Sequence, residues 1–452
     1  MKQYAKFVLM GILLTIGSLS AATHTWTGGG GSSWNTALSW SASSAPGFGS
    51  TTTDVIIGGT TNVSAIVIAT AGTYTVRSLT FNDANDATSR LVLSGGTSAS
   101  SNARHLTFSS NAGNASLIIE AGSTRSKTID KGLSDSTKRA NINLTSSLDV
   151  IHNGSGTLTM GVGDDVTTFG TRIQGAGGIN KSGTGTLVLG GNTLYTGATT
   201  ISAGTIEIGA AGRLGSGAYS ANLTNNSTFI YSGTNNQTLS GTISGAGNMI
   251  KNAASTLTLS GNNSYSGTAT INSGTLKTAS VGALGQAESI VVNTGGSLLI
   301  GVENSIGDST DITMNGGAIK FEGNVNERVG ALTLSADSVI DMSGGDISLE
   351  FAILYATMER NLKIYNYSLY NDHLYFNGST YVNESLPRIQ FYSDAGNTLI
   401  GDSFIRDFGV TNEVVPVPEP GVYVTGLLLM GSMLYYQYRN VRKAQQIVTN
   451  PQ

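Results

Sequence analysis

The strongest constraint on the fold of this chain is an internal repeat with a period of seventy residues. Sliding the sequence against itself by that distance superposes the stretch that begins at Gly175 on the one that begins at Gly245, without a gap. The match predicts a duplicated structural unit that stacks on its neighbour, and residues 154–161 carry part of a third copy. The coinciding positions are Lys181 and Lys251, Thr186-Leu187 and Thr256-Leu257, Leu189 and Leu259, Gly191-Asn192 and Gly261-Asn262, Tyr195 and Tyr265, Gly197 and Gly267, Thr200-Ile201 and Thr270-Ile271, Gly204-Thr205 and Gly274-Thr275, and Leu214-Gly215 and Leu284-Gly285.

Each unit consists of short apolar runs separated by turn residues. Thr186–Leu189 and Thr205–Ile208 alternate or run apolar over four residues, and a further run covers Ala198–Ile201. Such short runs are typical of strands, because side chains alternate inward and outward along a strand. The glycine and asparagine residues between them suit turns, since they tolerate positive φ.

Three short strands in a unit, with glycine and asparagine at the corners, predict an all-β fold: a right-handed parallel β-solenoid, in which each turn of chain bonds to the next and inward Leu, Ile and Val form a continuous core. The composition agrees, because 39% hydrophobic and 12% charged residues are unlike a disordered chain. Antiparallel hairpins in a sandwich are the alternative, since glycine turns occur there too.

Residues 345–415 differ from the repeats in being richer in aromatic residues and poorer in glycine. Leu362–Tyr365 and Arg388–Tyr392 fit strands in this segment. The open last turn of a solenoid has unpaired backbone that invites aggregation, so we expect a C-terminal cap or compact β module here. The alternative is an aromatic platform for sugar rings. The aromatic residues are Tyr365, Tyr367, Tyr370, Tyr375, Phe376, Tyr381, Phe391 and Tyr392.

Residues 1–22 have the order of a secretory signal peptide. Lys2 and Lys6 precede an apolar run over residues 7–19, and small residues follow up to Ala22. We expect signal peptidase to cleave after Ala22. The alternative is an uncleaved membrane anchor, for which the apolar run is short.

The C-terminal end combines a Pro-Glu-Pro triplet with an apolar helix and a basic end. The triplet is Pro418, Glu419 and Pro420, and residues 421–438 after it are nearly all apolar. Eighteen residues at a helical rise of about 1.5 Å cover about 27 Å, which is close to the hydrocarbon thickness of a bilayer. The cations that follow favour a cytoplasmic C-terminus. They are Arg439, Arg442 and Lys443.

This tail resembles the PEP-CTERM sorting signal of Gram-negative bacteria, with triplet, helix and basic end in the same order. The resemblance implies export across the inner membrane, transient anchoring by the helix, and processing near Pro418, Glu419 and Pro420 by an exosortase-type membrane protease. The two prolines fit such processing, because they keep the backbone extended above the membrane. An ordinary tail anchor after a proline-containing linker is the alternative.

The central repeats resemble the autotransporter-associated β-strand repeat, also called the passenger-associated transport repeat. The pattern covers residues 183–197 and continues through Thr200-Ile201 and residues 204–206. The resemblance implies a large secreted β-helical passenger. The predicted start of the mature chain is similar to such proteins as well, with Trp26, Trp34 and Trp40.

These patterns together predict five parts of the chain. They are a signal peptide (1–22), a β-solenoid (23–344) with repeats at about 175–215 and 245–285, an aromatic-rich β module or cap (345–415), a sorting signal (416–443) with a transmembrane helix (421–438), and a cytoplasmic stub (444–452).

Residues suited to catalysis or metal binding are sparse. Cysteine is absent, which removes thiolate chemistry and cysteine-based zinc sites. We expect no catalytic residue, no metal and no cofactor. A net charge of −4 argues against nucleic acid as a partner. The histidines have no metal or triad spacing, and the Asp-rich turns fit turn chemistry as well as calcium binding. These residues are His24, His105, His152 and His373, with Asp164-Asp165 and residues 82–86 as the turns.

Two functions from different classes remain open on the sequence. The first is a non-enzymatic structural or adhesive protein of the cell surface or extracellular matrix, which binds extracellular polysaccharide or neighbouring cells. The second is an extracellular polysaccharide lyase or hydrolase, which rests on the fold analogy that parallel β-helices often host such enzymes. Turns that present mainly Thr, Ser and Asn outward favour the first. Two or three charged side chains together on one exposed face favour the second.

Overall fold

A computed structural model describes residues 22–26, 34, 53–58, 65–68, 72–82, 90–93, 104–130, 140–161, 171–356, 360–378, 388–396, 398–407 and 412–418. These residues form short strands, and most of the strands pair in parallel with a strand one turn later in the chain. Such stacking is the arrangement of a β-solenoid. The pairings fall into three ladders that run along the stack.

The first ladder contains ten strands, which pair in the order given. They are β1 (Ala22–Trp26), β2 (Thr53–Ile57), β5 (Ser78–Phe81), β8 (Ala115–Ile119), β11 (Leu148–His152), β14 (Ile179–Ser182), β17 (Thr199–Ile201), β21 (Leu223–Asn225), β24 (Ile243–Gly245) and β27 (Ser264–Tyr265).

The second ladder follows the first around each turn and continues further along the chain. Its strands are β3 (Ala65–Val67), β6 (Arg90–Val92), β9 (Lys127–Asp130), β12 (Thr157–Met160), β15 (Thr186–Leu189), β18 (Thr205–Ile208), β22 (Thr228–Tyr231), β25 (Asn248–Lys251), β28 (Thr268–Ile271), β30 (Ser289–Asn293), β32 (Asp311–Asn315), β34 (Val325–Ala336), β36 (Ile347–Ala356) and β38 (His373–Gly378).

The third ladder is divided by the 3-10 turn Gly215–Gly217. Its first part contains β4 (Gly72–Val76), β7 (Arg104–Phe108), β10 (Ala140–Leu144), β13 (Thr171–Gly175), β16 (Asn192–Tyr195) and β19 (Arg213–Leu214). Its second part contains β20 (Ala218–Tyr219), β23 (Gln237–Leu239), β26 (Thr256–Leu259), β29 (Gly274–Thr278), β31 (Gly296–Ile300), β33 (Ala318–Phe321), β35 (Ser338–Asp341), β37 (Asn361–Tyr365) and β39 (Arg388–Tyr392).

The strands alternate between buried and partly exposed positions, as the sequence pattern predicts. Leu187 and Leu189 of β15 are fully buried, whereas Thr186 and Val188, which alternate with them, face outward. Parallel register places Leu187 beside Ile206, so apolar side chains of successive turns meet in the interior. Truncating such a side chain to alanine costs about 2–5 kcal/mol in well-packed cores.

A final hairpin closes the C-terminal end of the stack. Strands β40 (Leu399–Asp407) and β41 (Asn412–Pro418) pair antiparallel with each other. Strand β40 also pairs antiparallel with β39, and β41 pairs antiparallel with β38. The hairpin therefore covers the last strands of the second and third ladders, which is what a cap must do to occupy unpaired backbone groups.

Parallel stacking passes without interruption through residue 345, where the composition changes, and continues as far as β39. Several aromatic residues of this segment pack inward. Phe351 stacks on Phe376 with ring centroids 5.5 Å apart, and Tyr367 packs edge-on against Phe391 at 4.7 Å. The exact boundary between solenoid and cap stays a prediction.

The two copies of the repeat occupy different ladders. Starting from β14 in the first ladder, three steps lead to β17, β21 and β24, and the next strand, β25, is the counterpart of β14. One unit therefore spans three and one-third turns. By the same displacement β15 of the second ladder corresponds to β26 of the third. The second copy presents the same pattern on the next face of the stack.

The predicted parallel strands are confirmed for the described residues, and the antiparallel sandwich is wrong, since antiparallel pairing of strands is confined there to the final hairpin. In those ranges no helix is long and apolar enough to cross a bilayer. The predicted helix 421–438 lies outside them, as do residues 1–21 of the predicted signal peptide.

Candidate binding surface and groove

The predicted processing motifs lie at the edges of the described structure. Ala22 is the first residue of β1, where it pairs with Thr53. Pro418 is the last residue of β41 and lies opposite Gly401. The other predicted tail residues fall outside the described ranges: Glu419, Pro420, Arg439, Arg442 and Lys443. Their roles stay predictions.

Among the histidines, His105 is partly buried and His152 is fully buried. His105 lies 3.1 Å from the Nδ2 atom of Asn141 on the next turn, and burial lowers its pKa. His152 is 1% exposed, and burial followed by the charge of Lys181 lowers its pKa to about 4. A Cβ atom at Gly185 would lie 1.3 Å from Nδ1 of His152, so the ring packs where only a glycine fits.

The Asp-rich turns contribute little to the described structure. Asn82 lies in it, but Asp164, Asp165 and residues 83–86 lie outside it. Within the described ranges, no three His, Asp or Glu side chains are grouped so that they could hold a metal ion.

Two lysines at the same position of the two repeat copies are buried, which the sequence did not reveal. Lys181 and Lys251 are 0% and 1% exposed, and burial lowers the pKa of each to about 8. Both amines donate to backbone carbonyls at the turn that follows, so they are held by the fold rather than free for chemistry. The acceptors are Ser182 (2.7 Å), Gly183 (2.8 Å) and Ala203 (3.3 Å) for Lys181, and Ala253 and Ser273 (3.3 Å) for Lys251.

The outer side of the first ladder carries a continuous row of polar side chains, which we call the hydroxyl column. It extends over nine turns, and all its members are at least partly exposed. Adjacent strands lie about 4.8 Å apart, so the column is about 38 Å long. Its members, each paired with the next, are Asp54, Ser78, Ser116, Asp149, Asn180, Thr200, Thr224, Ser244 and Ser264.

Some members of the hydroxyl column bond to one another along the stack. The Ser78 hydroxyl donates to Asp54 at 2.7 Å, and the amide of Asn180 donates to Asp149 at 2.8 Å. The column contains hydroxyl, amide and carboxylate groups and no cation. It is chemically suited to exchange hydrogen bonds with a polyhydroxyl ligand.

A similar row follows the second ladder. Four threonines one turn apart begin it, and a later polar stretch ends at Asp311. Its members are Thr157, Thr186, Thr205, Thr228, Asn248, Thr268, Ser289 and Asp311. The outward positions of these strands therefore include one row of mainly Thr, Ser and Asn. A neighbouring outward row contains Val188, Glu207, Ile230, Ile250 and Val291.

A row of four asparagine side chains forms a hydrogen-bonded ladder at the end of second-ladder strands. Each amide donates to the side-chain oxygen of the asparagine one turn before it. The distances are 2.8 Å from Asn272 to Asn252, 2.6 Å from Asn293 to Asn272 and 3.0 Å from Asn315 to Asn293.

A groove of about 270 Å³ lies near the C-terminal end of the stack. Val325 and Ile347, both buried, contribute its apolar part. Its polar lining comes from turns that are far apart in sequence: Glu303, Asn324, Asn326, Asp346, Ser348, Asn371 and His373.

His373 lies at this groove and contacts the final hairpin. Its Nδ1 atom lies 2.7 Å from Oε1 of Glu413 on the final hairpin. Its ring also stacks on Tyr375 at a centroid distance of 5.9 Å. The groove was not predicted, because only the register of the turns brings Glu303 and Asp346 to one place with His373.

The chain contains passenger-associated transport repeats: residues 179–208 and 249–277 match the family model described as passenger-associated-transport-repeat. The predicted resemblance of the central repeats is thereby confirmed. The chain is also similar to the adhesin BmaC autotransporter of Brucella suis biovar 1 (strain 1330), with 30% identity over 218 residues. That alignment takes in 41% of this chain and 6% of the relative. No solved structure matches the chain.

Proposed function

We propose that this chain is an exported, non-enzymatic adhesive protein of a Gram-negative cell surface or extracellular matrix, which binds extracellular polysaccharide along the hydroxyl column. The observation that carries the proposal is this uninterrupted polar row of nine turns on the first ladder. A polysaccharide offers hydroxyl groups at regular intervals, and a solenoid offers matching donors and acceptors at every turn.

Two further observations support the surface role. The repeats at 179–208 and 249–277 belong to a type described as passenger-associated, and the Brucella relative is named an adhesin. The proposed route uses a signal peptidase at Ala22 and an exosortase-type protease at Pro418, Glu419 and Pro420, with the segment 421–438 as transient anchor. The basic residues beyond it orient the anchor.

The test uses the purified chain and two immobilised polysaccharides, neutral cellulose and acidic alginate. We expect retention on cellulose without release of reducing sugar. Replacing Thr200 and Thr224 by valine removes two hydroxyls of the column with little change of volume, and should lower retention. The matched control replaces Thr238 and Thr258 by valine as well. These two residues lie on consecutive turns of the third ladder.

Equal loss in both double variants would show that the column has no special part in binding. Release of reducing sugar would favour the polysaccharide lyase or hydrolase instead. The sorting proposal is tested separately by mass spectrometry of the mature chain from its native host, where retention of residues 421–438 in every molecule would contradict processing at the triplet.

A further inference from the structure

The groove near the C-terminal end lies apart from the hydroxyl column in sequence and has a different chemistry. Its wall includes one side chain from each of three successive turns, since Asn326 pairs with Ser348 and Ser348 with His373. The turns between strands complete it: Asn324 Oδ1 accepts a bond of 3.1 Å from the backbone N–H of Asp346. The groove is therefore formed by the stacking itself.

An exposed tyrosine stands next to this groove. Tyr370 is 90% exposed, and the following residue, Asn371, lines the groove. Phe351, Tyr367, Phe376 and Phe391 of the C-terminal segment are buried, whereas Tyr370 is the most exposed large hydrophobic residue of the described ranges. A tyrosine ring provides a flat apolar face, against which the C–H face of a sugar ring can pack.

The turn that carries Tyr370 is fixed by a buried carboxylate. Asp372 is 1% exposed, and its two oxygens accept the backbone N–H of Ile347 at 3.0 Å and that of Ser368 at 2.7 Å. One bond holds the turn closed and the other ties it to the preceding turn of the stack. Tyr370 is thus displayed from a well-anchored position, which lowers the entropy cost of binding.

The charges around the groove favour a cationic ligand. Glu303 and Asp346 line it, and neither forms an ion pair within the described part of the chain. His373, the basic group in the lining, is already held by Glu413. Acidic sugars would meet these carboxylates with like charge, whereas a protonated amine would find opposite charge.

We propose that the groove is a binding site for amino sugars, in which Tyr370 stacks on a sugar ring and Glu303 and Asp346 attract its protonated amine. Asn324, Asn326 and Asn371 supply amide groups for the neighbouring hydroxyls. This site deepens the proposed adhesive function, because it names a sugar class and a second binding location on the same rod.

The test measures binding of the full chain to three hexasaccharides by calorimetry at mildly acidic pH: glucosamine, N-acetylglucosamine and galacturonate oligomers. We expect the affinity order to be glucosamine, then N-acetylglucosamine, with no binding of galacturonate. Tyr370→Ala should weaken glucosamine binding about two- to tenfold, the range of one aromatic contact. Glu303→Gln with Asp346→Asn should remove the preference for the charged amine and leave binding of the neutral oligomer.

The matched control is Tyr355→Ala. Tyr355 is 39% exposed on β36, and seven residues separate it from Ser348 of the groove, which corresponds to about 23 Å along a strand. An equal effect of Tyr355→Ala, tight galacturonate binding, or an unchanged affinity in Tyr370→Ala would each overturn the amino-sugar site.

Failure of this site can be told apart from failure of the adhesive function. Retention on cellulose without binding of glucosamine oligomers would contradict the amino-sugar site and leave the proposed adhesive function unaffected. Suppose instead that glucosamine oligomers bind in a way that depends on Tyr370, and that the chain is not retained on cellulose. This result would contradict the function proposed for the hydroxyl column and support the amino-sugar site.

Discussion

The side-chain amide of Asn293 donates to Oδ1 of Asn272 at 2.6 Å, across two adjacent turns of the stack. Asn293 also accepts the amide of Asn315 on the next turn, at 3.0 Å. It thus occupies the interior of a ladder that ties the second-ladder strands together at their ends. Such side-chain ladders stabilise stacked strands in addition to the backbone bonds.

Asn293→Ala should destabilise the local turns by about 1 kcal/mol, because it removes two exposed hydrogen bonds. Asn252→Ala removes one bond at the end of the same ladder and should cost about half as much. Amide hydrogen exchange of residues 268–315 reports the change locally. If the two variants have equal effects, the ladder does not act as a connected unit.

Stability should fall as the pH rises from about 4.5 to about 7 because of Glu327. Its carboxylate is 1% exposed, and burial raises its pKa to about 7 although the backbone N–H groups of Ser305 and Ile306 donate to it. Between these pH values the folded state therefore holds a proton that the unfolded chain releases. The contribution of Glu327 to the stability is complete below about pH 4.5 and lost above about pH 7. The loss is on the order of 3 kcal/mol.

Glu327→Gln should flatten this part of the stability profile, measured by denaturant unfolding at a series of pH values. Glu322→Gln is the control, since Glu322 is an exposed partner of Lys277 at the surface. A slope that persists in Glu327→Gln would assign the pH dependence to other groups.

The buried lysines predict the opposite slope in alkaline solution. Burial lowers the pKa of Lys181 and Lys251 to about 8, so between about pH 8 and 10.5 the unfolded chain binds protons that the folded chain has released. Stability should therefore rise across that range, by up to about 3 kcal/mol for each lysine. The double variant Lys181→Met with Lys251→Met should lose the rise, whereas Lys277→Met should keep it. An unchanged rise in the double variant would contradict the assignment.

The final hairpin should keep the protein monomeric. Val414 of β41 is fully buried, so Val414→Asp should detach the hairpin and expose the edges of β38 and β39. Exposed strand edges pair with other chains, and light scattering should detect oligomers. Val415→Asp is the control, because Val415 is only partly buried. Monomers in both variants would show that the hairpin is not needed to block these edges.

The strands were predictable because their apolar residues alternate over runs bounded by turn residues. Arg388–Tyr392 is a strand with the predicted bounds, and Thr186–Leu189 and Thr205–Ile208 are strands as predicted. The parallel pairing was predicted from three short strands in a unit with glycine and asparagine at the corners. The unit was expected to form one turn of the solenoid, which is wrong, because it spans three and one-third turns. The sequence also predicted a cap after the repeats, since an open end is unfavourable.

The binding sites were not predictable in the same way. The repeat period of seventy residues hides the shorter turn of the solenoid: Thr186 pairs with Thr205, and Thr228 pairs with Asn248. Without the lengths of individual turns, the register cannot be read from the sequence. The sequence therefore does not show that Glu303, Asp346 and His373 are neighbours. It also does not show that Lys181 is buried.

The extra third of a turn in each repeat unit has a consequence for how such rods grow. Duplication of a whole number of turns would place the corresponding surface residues of every copy on the same face of the stack. Here each added copy is rotated by one third of a turn relative to the copy before it. Three successive copies would therefore place corresponding residues on each of the three ladders in turn. Residues that recur once in each copy would therefore be distributed over all three ladders of a longer stack.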